Sequence, residues 1–253
     1  MTFTRNINIK YAVKARTRLE NIAQLAQNGG VASTIIYALL KEKIVDKALA
    51  AARNFNEPQV ISLKNSIDIT KIPGSRYFYV PVLQALNIPE DKSKNICIVG
   101  LPCHIRAATN IEKIIGVKFL KIGLLCFKNF YLSTIRNILK SMNIDLKNVR
   151  KMEIVKKSMK IYVNSSIVSI KLSKLKSSTK CLYCKCFIPF EADLVLGNVG
   201  SPPTETTVLV FTDNGFNALK ASEKYLKIDY DINIDTVLKM QKLKEKISLK
   251  KKI

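Results

Sequence analysis

Four cysteines are the residues of this chain whose type and spacing predict chemistry. Cys181 and Cys184 form a Cys-x-x-Cys pair in the segment CLYCKCF, whereas Cys103 and Cys126 lie far upstream, in GLPCHIRAA and IGLLCFKNF. Thiolates bind zinc and iron–sulfur clusters. The four sulfurs therefore predict a metal site, provided that the two distant cysteines reach the pair.

The elements around Cys103 and Cys126 predict that these two thiols meet. Residues 95–100 form a β-branched apolar run that leads into Gly-Leu-Pro, residues 104–115 carry apolar residues at helical spacing, and residues 117–125 form a second apolar run. This order favours two parallel strands joined by a right-handed helical crossover. Parallel strands end at one edge of a sheet, where open α/β sheets bind ligands, so we expect both cysteines there.

The remaining pattern predicts an α/β fold with a mixed, largely parallel sheet flanked by helices and an additional small antiparallel β region. The antiparallel region is predicted at about 151–175 as a hairpin or meander. Residues 206–212, TTVLVFT, predict another strand, followed by a turn at Asp-Asn-Gly, residues 213–215, and then a helix. We expect residues 1–227 to form a single domain and residues 228–253 to form a basic helix or tail.

The chain carries a strong positive charge. Its 253 residues include 42 Lys and Arg against 19 Asp and Glu, which gives a formal net charge of +23. Such a surface is either simply solvated or attracts a polyanionic partner, such as a phosphorylated cofactor, a nucleic acid or an acidic protein. The lysine-rich run at residues 239–252 is interpreted as a solvated tail or helix and not as a site.

Cysteine usage and the lack of targeting signals predict a cytoplasmic protein. The first 16 residues have no apolar signal-peptide core, and no uncharged apolar run approaches the length of a membrane span. In a reducing compartment, cysteines are expected to be metal ligands or core residues rather than disulfides. Cys97, between two isoleucines, is interpreted as a core residue. Cys186 is open as a spare thiol, an alternative ligand or a redox partner.

The spread of the cysteines favours an iron–sulfur cluster over zinc. Structural zinc sites usually draw two close pairs from small loops, whereas here two ligands are single residues at strand ends and one pair is remote. His104, the only histidine, lies beside Cys103. It is open to a role as metal ligand, proton carrier or hydrogen-bond donor at a helix start, and the donor role is preferred.

Three glycine-containing segments are candidates for binding a second cofactor. Residues 27–30, QNGG, precede an apolar helix at residues 31–40, whose N-terminus can bind phosphate. Residues 74–77, GSRY, offer an arginine for a phosphate and a tyrosine for stacking on a ring. Residues 197–202, GNVGSP, follow a strand-like run and can cover a flat cofactor. Each segment alone is equally well an ordinary turn or tight loop.

Together these motifs resemble the coenzyme F420 hydrogenase/dehydrogenase beta-subunit family. The resemblance runs in order from about residue 27 to residue 212, through QNGGVAST, GSRY, IVGLPCHIRA, IGLLCFKNF, CLYCKCF and ADLVLGNVGSP. It implies a subunit that carries FAD and a [4Fe-4S] cluster and exchanges a hydride with the deazaflavin coenzyme F420. Members of this family serve hydrogenases, formate dehydrogenases and sulfite reductases.

The resemblance also implies roles for individual residues. The implied cluster ligands are Cys103, Cys126, Cys181 and Cys184. The implied flavin contacts are Asn28, Gly29, Gly30, Ser33, Thr34, Gly74, Ser75, Arg76 and Tyr77, together with Gly197, Asn198, Gly200 and Ser201 from a loop that closes over the flavin. The chain departs from the family where Leu101 and His104 replace a common Thr and Gln, and where Cys186 replaces an acidic residue.

These implications define a hypothesis with two alternatives. In the hypothesis, residues 1–227 are a flavin and iron–sulfur domain. A hydride passes from reduced coenzyme F420 to FAD, and single electrons pass through the cluster to a partner redox subunit of the hydrogenase, dehydrogenase or reductase type. In the first alternative, the same scaffold uses ferredoxin or another donor without F420. In the second, a basic zinc protein binds nucleic acid, but no nucleic-acid motif with interleaved aromatic residues supports such a partner.

Overall fold

The structure is a computed structural model in which residues 8–87, 95–164 and 166–250 are described. Residues 1–7, part of the stretch searched for a signal peptide, and residues 251–253, the end of the predicted basic tail, lie outside the described residues. The described chain forms one large mixed sheet, one small antiparallel sheet, and helices on both faces of the large sheet.

The strands are β1 Tyr11–Thr17, β2 Lys47–Ala51, β3 Val60–Leu63, β4 Ile96–Gly100, β5 Phe119–Leu124, β6 Val149–Val155, β7 Ser158–Val163, β8 Ser166–Lys171, β9 Leu194–Gly197, β10 Thr206–Val210 and β11 Leu226–Asp229. The large sheet has the order β11-β1-β10-β9-β5-β4-β2-β3, and β2, β4, β5 and β9 run parallel at its centre. The small sheet, β6-β7-β8, is an antiparallel meander. The predicted α/β class and its additional antiparallel region are confirmed.

The helices are α1 Glu20–Ala23, α2 Val31–Lys41, α3 Pro102–Ile115, α4 Leu132–Lys140, α5 Thr179–Tyr183, α6 Asp213–Ser222 and α7 Ile234–Lys250. The turn predicted at residues 213–215 is wrong, because these residues form the first turn of α6. Thr212 Oγ1 accepts a hydrogen bond from the Gly215 N–H at 3.2 Å and so caps the helix. No helix in the described part of the chain is both long and apolar enough to span a membrane.

The strand–helix–strand unit that carries Cys103 and Cys126 forms as predicted. Every residue of β4 is buried, and β4 pairs in parallel with β5, with Gly100 opposite Gly123. Helix α3 begins at Pro102, a position where the missing N–H is tolerated, and ends at Gly116, whose φ is +72°. The carboxyl ends of β4 and β5 lie side by side, and the parallel strand β9 brings Gly197 to the same edge.

Helices on the two faces of the sheet bury separate cores. Helix α2 packs on one face through residues such as Ile35 and Leu39, and the fully buried Cys97 belongs to this layer, which confirms its predicted core role. On the opposite face, α3 packs on β2 and β4 through Ala108, and α7 packs on β9 and β10 through Val237. Both α3 and α7 therefore lie next to the edge that carries the cysteines.

Candidate metal and cofactor site

Three chain segments bring the four predicted ligand cysteines to the carboxyl edge of the sheet. Cys103 lies in the first turn of α3, directly after β4, and Cys126 lies two residues beyond β5. Cys181 lies in the short helix α5, and Cys184 is the residue that ends it. The topology thus delivers one thiol from each of two parallel strands and a pair from a third segment.

Direct contacts join these segments. The Cys126 N–H donates to the Phe187 carbonyl at 3.1 Å, which ties the end of β5 to the stretch after the Cys-x-x-Cys pair. Arg106, one turn along α3 from Cys103, donates from Nη2 to the Cys186 sulfur at 2.8 Å. Helix α3, the end of β5 and the Cys-x-x-Cys stretch therefore meet in one place.

The four sulfurs also share one electrostatic environment. Cys103 is exposed, yet the surrounding protein desolvates its sulfur enough to raise its pKa, and charge on Cys181 and Cys184 raises it further. Burial raises the pKa of Cys126 to about 12, and charge on the other three thiols adds to the effect. Four thiolates this close repel one another, so a cationic metal centre among them would replace the protons and remove the repulsion.

The donor set of the candidate site consists of four free thiols, those of Cys103, Cys126, Cys181 and Cys184. Among residues 8–87, 95–164 and 166–250, no three His, Cys, Asp or Glu side chains lie close enough to hold one metal ion. A tetrahedral zinc with Zn–S bonds of about 2.3 Å needs sulfurs about 3.8 Å apart. In a [4Fe-4S] cluster each thiolate binds a different iron, so the ligands stand farther apart. Four thiolates are the donor set that a [4Fe-4S] cluster takes, so the residues present fit such a cluster.

Cys184 and Cys186 lie next to each other and interact. Cys184 Sγ lies 3.7 Å from the Cys186 carbonyl oxygen, and the thiol of Cys186 is held by Arg106. A hydrogen bond from the Cys186 thiol is the largest cause that lowers the pKa of Cys184 to about 5, and the same interaction raises the pKa of Cys186. Of these two thiols, Cys184 is therefore the one that ionises first, and the thiolate is the form that binds metal.

His104 acts at the start of α3, but as an acceptor. Its Nδ1 accepts a hydrogen bond from the Leu101 N–H at 3.2 Å, so the predicted donor role at the helix start is wrong in direction. Burial lowers the pKa of His104 to about 4, so the ring is neutral and carries its proton on Nε2. The ring of Tyr79 lies 5.1 Å from the imidazole, between centroids.

The QNGG segment packs tightly against the sheet. Asn28 Nδ2 donates to the Pro203 carbonyl at 2.6 Å, and the Gly29 N–H donates to Thr206 Oγ1 at 3.1 Å. Gly30, with a φ of +70°, is the residue before α2. The glycines are therefore needed for packing at the start of α2, whether or not they also contact a ligand.

The hydroxyls that follow QNGG are buried in the first turn of α2. Thr34 is fully buried, and its Oγ1 donates to Thr17 Oγ1 at 2.7 Å. Ser33 is 5% exposed. Thr34 therefore links α2 to the end of β1. Its hydroxyl is used in a buried hydrogen bond within the protein and is not exposed on the loop surface.

A positively charged cavity adjoins the QNGG segment. It has a volume of about 340 Å³ and is lined by Asn28, Gly29 and three cations, Arg16, Arg18 and Lys227. Arg16 and Lys227 are directly opposite each other in the β1–β11 pair. Like charges opposite each other destabilise a sheet, so an anion bound here would relieve their repulsion.

The GSRY segment is anchored by its arginine. Arg76 donates to the Ala51 carbonyl at 3.0 Å and to the Ile72 carbonyl at 3.3 Å, so most of its guanidinium serves the fold. Tyr77 packs in the apolar cluster around the small sheet, and burial raises its pKa to about 12. Ser75 is partly buried beside them.

Hydrogen bonds from the Arg53 side chain bring GSRY close to the segment that precedes QNGG. Arg53, which follows β2, donates to the Leu25 carbonyl at 3.1 Å and to the Pro73 carbonyl at 3.0 Å. Gly74 has a φ of +94°, and a Cβ there would lie 2.7 Å from Arg53 Nη1. The two candidate flavin-binding segments therefore meet through Arg53 and Leu25.

The loop after β9 is bound to its neighbours. Gly200, with a φ of +94°, accepts a hydrogen bond from the Asn233 N–H at 3.0 Å, and Ser201 Oγ donates to the Glu205 carbonyl at 3.4 Å. A Cβ at Gly197 would collide with the Leu125 side chain, so this loop lies beside the segment of Cys126. Asn198 is exposed at the same edge.

Buried polar atoms without a partner concentrate in the candidate segments. In the described chain they are Gln27 Oε1, Arg76 Nε, His104 Nε2, Thr109 Oγ1 and Asn129 Nδ2. Four of these five belong to the QNGG, GSRY, LPCHIRA and CFKNF motifs. An unsatisfied buried polar group costs about 1–3 kcal/mol, and these atoms are free to pair with a ligand that has donors and acceptors, as a flavin ring has. The residues present therefore fit a flavin.

The C-terminal helix contributes residues that the sequence analysis missed. One face of α7 is buried, and Gln241, Lys244 and Ser248 on this face bind backbone atoms beside the cysteines. Residues 239–252 are interpreted from the sequence as a solvated tail or helix; the described part is a helix, but it is not solvated on this face. The signal in the sequence was the alignment of these polar residues with Val237 at helical spacing.

Fold and site together define a mixed α/β protein whose thiols and glycine-containing segments share the ligand-binding edge of one sheet. Comparison with known proteins identifies it further. The chain belongs to the coenzyme F420 hydrogenase/dehydrogenase beta-subunit family, because residues 12–87 match the N-terminal part of that family and residues 93–249 match its C-terminal part. The predicted family, a family of hydrogenase and dehydrogenase beta subunits, is confirmed.

Individual relatives agree with this assignment. One of the subunits of the F(420)H(2) dehydrogenase of Methanosarcina mazei is 31% identical over 197 residues, 75% of this chain and 57% of that protein, so this chain spans less than two thirds of its length. The coenzyme F420 hydrogenase subunit beta of Methanothermobacter thermautotrophicus is 28% identical over 227 residues, 83% of this chain and 80% of that protein. A chain of the F420-reducing [NiFe] hydrogenase complex from Methanosarcina barkeri has the same fold, with a TM-score of 0.86 over 96% of this chain and 91% of that chain, at 23% identity.

Proposed function

We propose that this chain is a flavin- and iron–sulfur-containing oxidoreductase subunit that links reduced coenzyme F420 to a partner redox subunit of the hydrogenase, dehydrogenase or reductase type. The observation that carries the proposal is the meeting of Cys103, Cys126, Cys181 and Cys184 at the edge that also holds the unpartnered polar atoms. When bound, FAD and a [4Fe-4S] cluster supply the change from two-electron to one-electron chemistry.

The chain's own residues bind the two cofactors, orient them and exclude water from them. The four thiols hold the metal centre, and the protein around Cys126 keeps water from it. Gln27 Oε1 offers an acceptor to a ring, whereas Arg76 Nε and Asn129 Nδ2 offer donors. The cations around the cavity beside QNGG attract phosphate and carboxylate groups, which coenzyme F420 carries on its phosphate and glutamate tail.

The test is anaerobic reconstitution with iron, sulfide and FAD, followed by a count of both cofactors and a visible spectrum. We expect flavin and iron–sulfur absorption, with the iron lost when any of the four ligand cysteines is replaced by serine. Cys97→Ala is the matched control, because Cys97 lies in the core and away from the site. A colourless protein that holds zinc and no iron would refute the proposal and favour the alternative of a basic zinc protein that binds nucleic acid.

A second assay separates coenzyme F420 from other donors. The reconstituted protein is given oxidised F420 and a low-potential electron donor, and the deazaflavin absorbance is followed. Bleaching of that absorbance is expected. If the flavin is reduced by ferredoxin while the F420 absorbance stays constant, the scaffold works without F420. The cytoplasmic location expected from the sequence stays a prediction.

A further inference from the structure

Helix α7 presents a line of polar side chains to the cysteine segments. Gln241, Lys244 and Ser248 follow Val237 at spacings of four, three and four residues, so they share one face of the helix. Gln241 and Lys244 are each 5% exposed, and Ser248 is 1% exposed. Polar groups are costly to bury without partners, so this face requires specific ones.

Two of these side chains hold backbone next to the Cys-x-x-Cys pair. Ser248 Oγ donates to the Cys184 carbonyl at 2.7 Å. Gln241 Nε2 donates to the Lys185 carbonyl at 3.0 Å, and its Oε1 accepts from the Phe187 N–H at 2.9 Å. The stretch that carries Cys184 is therefore fastened to α7 at three points.

Lys244 joins the segments of two remote cysteines. Its ammonium group donates to the carbonyl of Phe127, the residue after Cys126, and to the carbonyl of Cys181 at 3.2 Å. It also lies 5.3 Å from the centre of the Phe127 ring. These described partners are uncharged, so the positive charge of Lys244 stands buried beside sulfurs that are anionic as metal ligands.

We propose that Lys244 is a positioning residue of the metal site, which fixes the Cys126 and Cys181 segments relative to each other and makes the bound cluster easier to reduce. The inference rests on the proposed function. Reduction adds a negative charge, which a fixed nearby cation stabilises, so the reduction potential rises. Gln241 and Ser248 are neutral and serve only to position.

The test compares charge variants of one helix. Lys244→Met removes the charge and keeps a long apolar side chain, whereas Lys244→Arg keeps the charge. Lys246→Met, at an exposed position of α7, is the matched control. The reduction potential of each reconstituted protein is measured by anaerobic titration followed by EPR. We expect a more negative potential for Lys244→Met and near-wild-type potentials for Lys244→Arg and Lys246→Met.

Ser248→Ala separates positioning from charge. Loss of its hydrogen bond is expected to speed iron release to a chelator about tenfold or more, with the potential nearly unchanged. Should Lys244→Met fail to retain iron, Lys244→Gln, which keeps a donor without the charge, gives the same comparison. A neutral Lys244 variant with wild-type potential overturns the inference. Wild-type protein that takes up no iron refutes the proposed function itself, which separates the two failures.

Discussion

Replacing Arg76 with lysine tests whether this arginine belongs to the fold, to the flavin site or to both. Its guanidinium donates to the carbonyls of Ala51 and Ile72 at 3.0 and 3.3 Å, and its buried Nε has no partner in the described chain. Burial is the main cause that lowers its pKa, to about 10, so the group is still charged at neutral pH. Lysine is a compact point donor and cannot reproduce the planar fork.

The expected size of the effect follows from these contacts. The lysine ammonium is one point at the end of an unforked side chain and cannot occupy the positions of both guanidinium nitrogens, so we expect one of the two carbonyl contacts to be lost. A hydrogen bond to a charged group is worth about 1.5–3 kcal/mol, so the free energy of unfolding of the cofactor-free protein should fall by about that amount. Loss of the Nε donor should weaken flavin binding about tenfold, which corresponds to about 1.4 kcal/mol.

Two measurements on the same variant check these numbers. Urea unfolding followed by circular dichroism gives the stability of the cofactor-free protein, and flavin fluorescence titration gives the affinity. Arg150→Lys is the matched control, because the Arg150 side chain is exposed and its change should stay within about 0.5 kcal/mol. An Arg76→Lys protein that unfolds at the wild-type urea concentration refutes the reasoning from the carbonyl contacts. An unchanged flavin affinity removes Arg76 from the flavin site.

Three further predictions address packing, the ligand set and the partner. Gly29→Ala should lower the free energy of unfolding by about 1–3 kcal/mol, because a Cβ there runs into the Ala15 carbonyl oxygen; a wild-type melting temperature would contradict this. Cys184→Ser should lose iron while Cys186→Ser keeps it, because the hydrogen bond from Cys186 lowers the pKa of Cys184 to about 5; iron analysis decides, and an iron-free Cys186→Ser protein would count against the assignment. Electron transfer to an acidic redox protein should slow as salt rises, because residues 154–190 hold eight lysines and no Asp or Glu; stopped-flow rates that ignore salt would exclude electrostatic docking there.

The parallel unit around Cys103 and Cys126 could be predicted because its signals are local. A buried strand needs a continuous apolar run, a helix start tolerates proline at its first position, and a helix end favours glycine, and the sequence from Asn95 to Gly116 has all three. Topology rules then place the strand ends side by side without further information. The family motifs add the Cys-x-x-Cys pair, which no local rule connects to that edge.

The glycine-containing segments could be found but not interpreted from the sequence. Gly29 is needed because Ala15 and Thr206 leave no room for a Cβ, and Gly200 because it has a φ of +94° and lies against the Asn233 carbonyl. Both reasons come from segments that are remote along the chain. A glycine required by a neighbouring strand and a glycine required by a ligand look the same in a single sequence.

A single sequence also does not show which of its charged residues are buried. In α7, the position of each lysine around the helix identifies the buried one. Lys242, Lys244 and Lys246 are equivalent by composition, yet only Lys244 is buried. What separates it is helical phase, because Lys244 lies on the face of Val237, which packs in the core, whereas its two neighbours point away from that face. A lysine in phase with core residues must find acceptors inside the protein. Here the acceptors are the carbonyls beside two cysteines, so part of the chain's positive charge stands where the proposed cluster binds rather than in solvent.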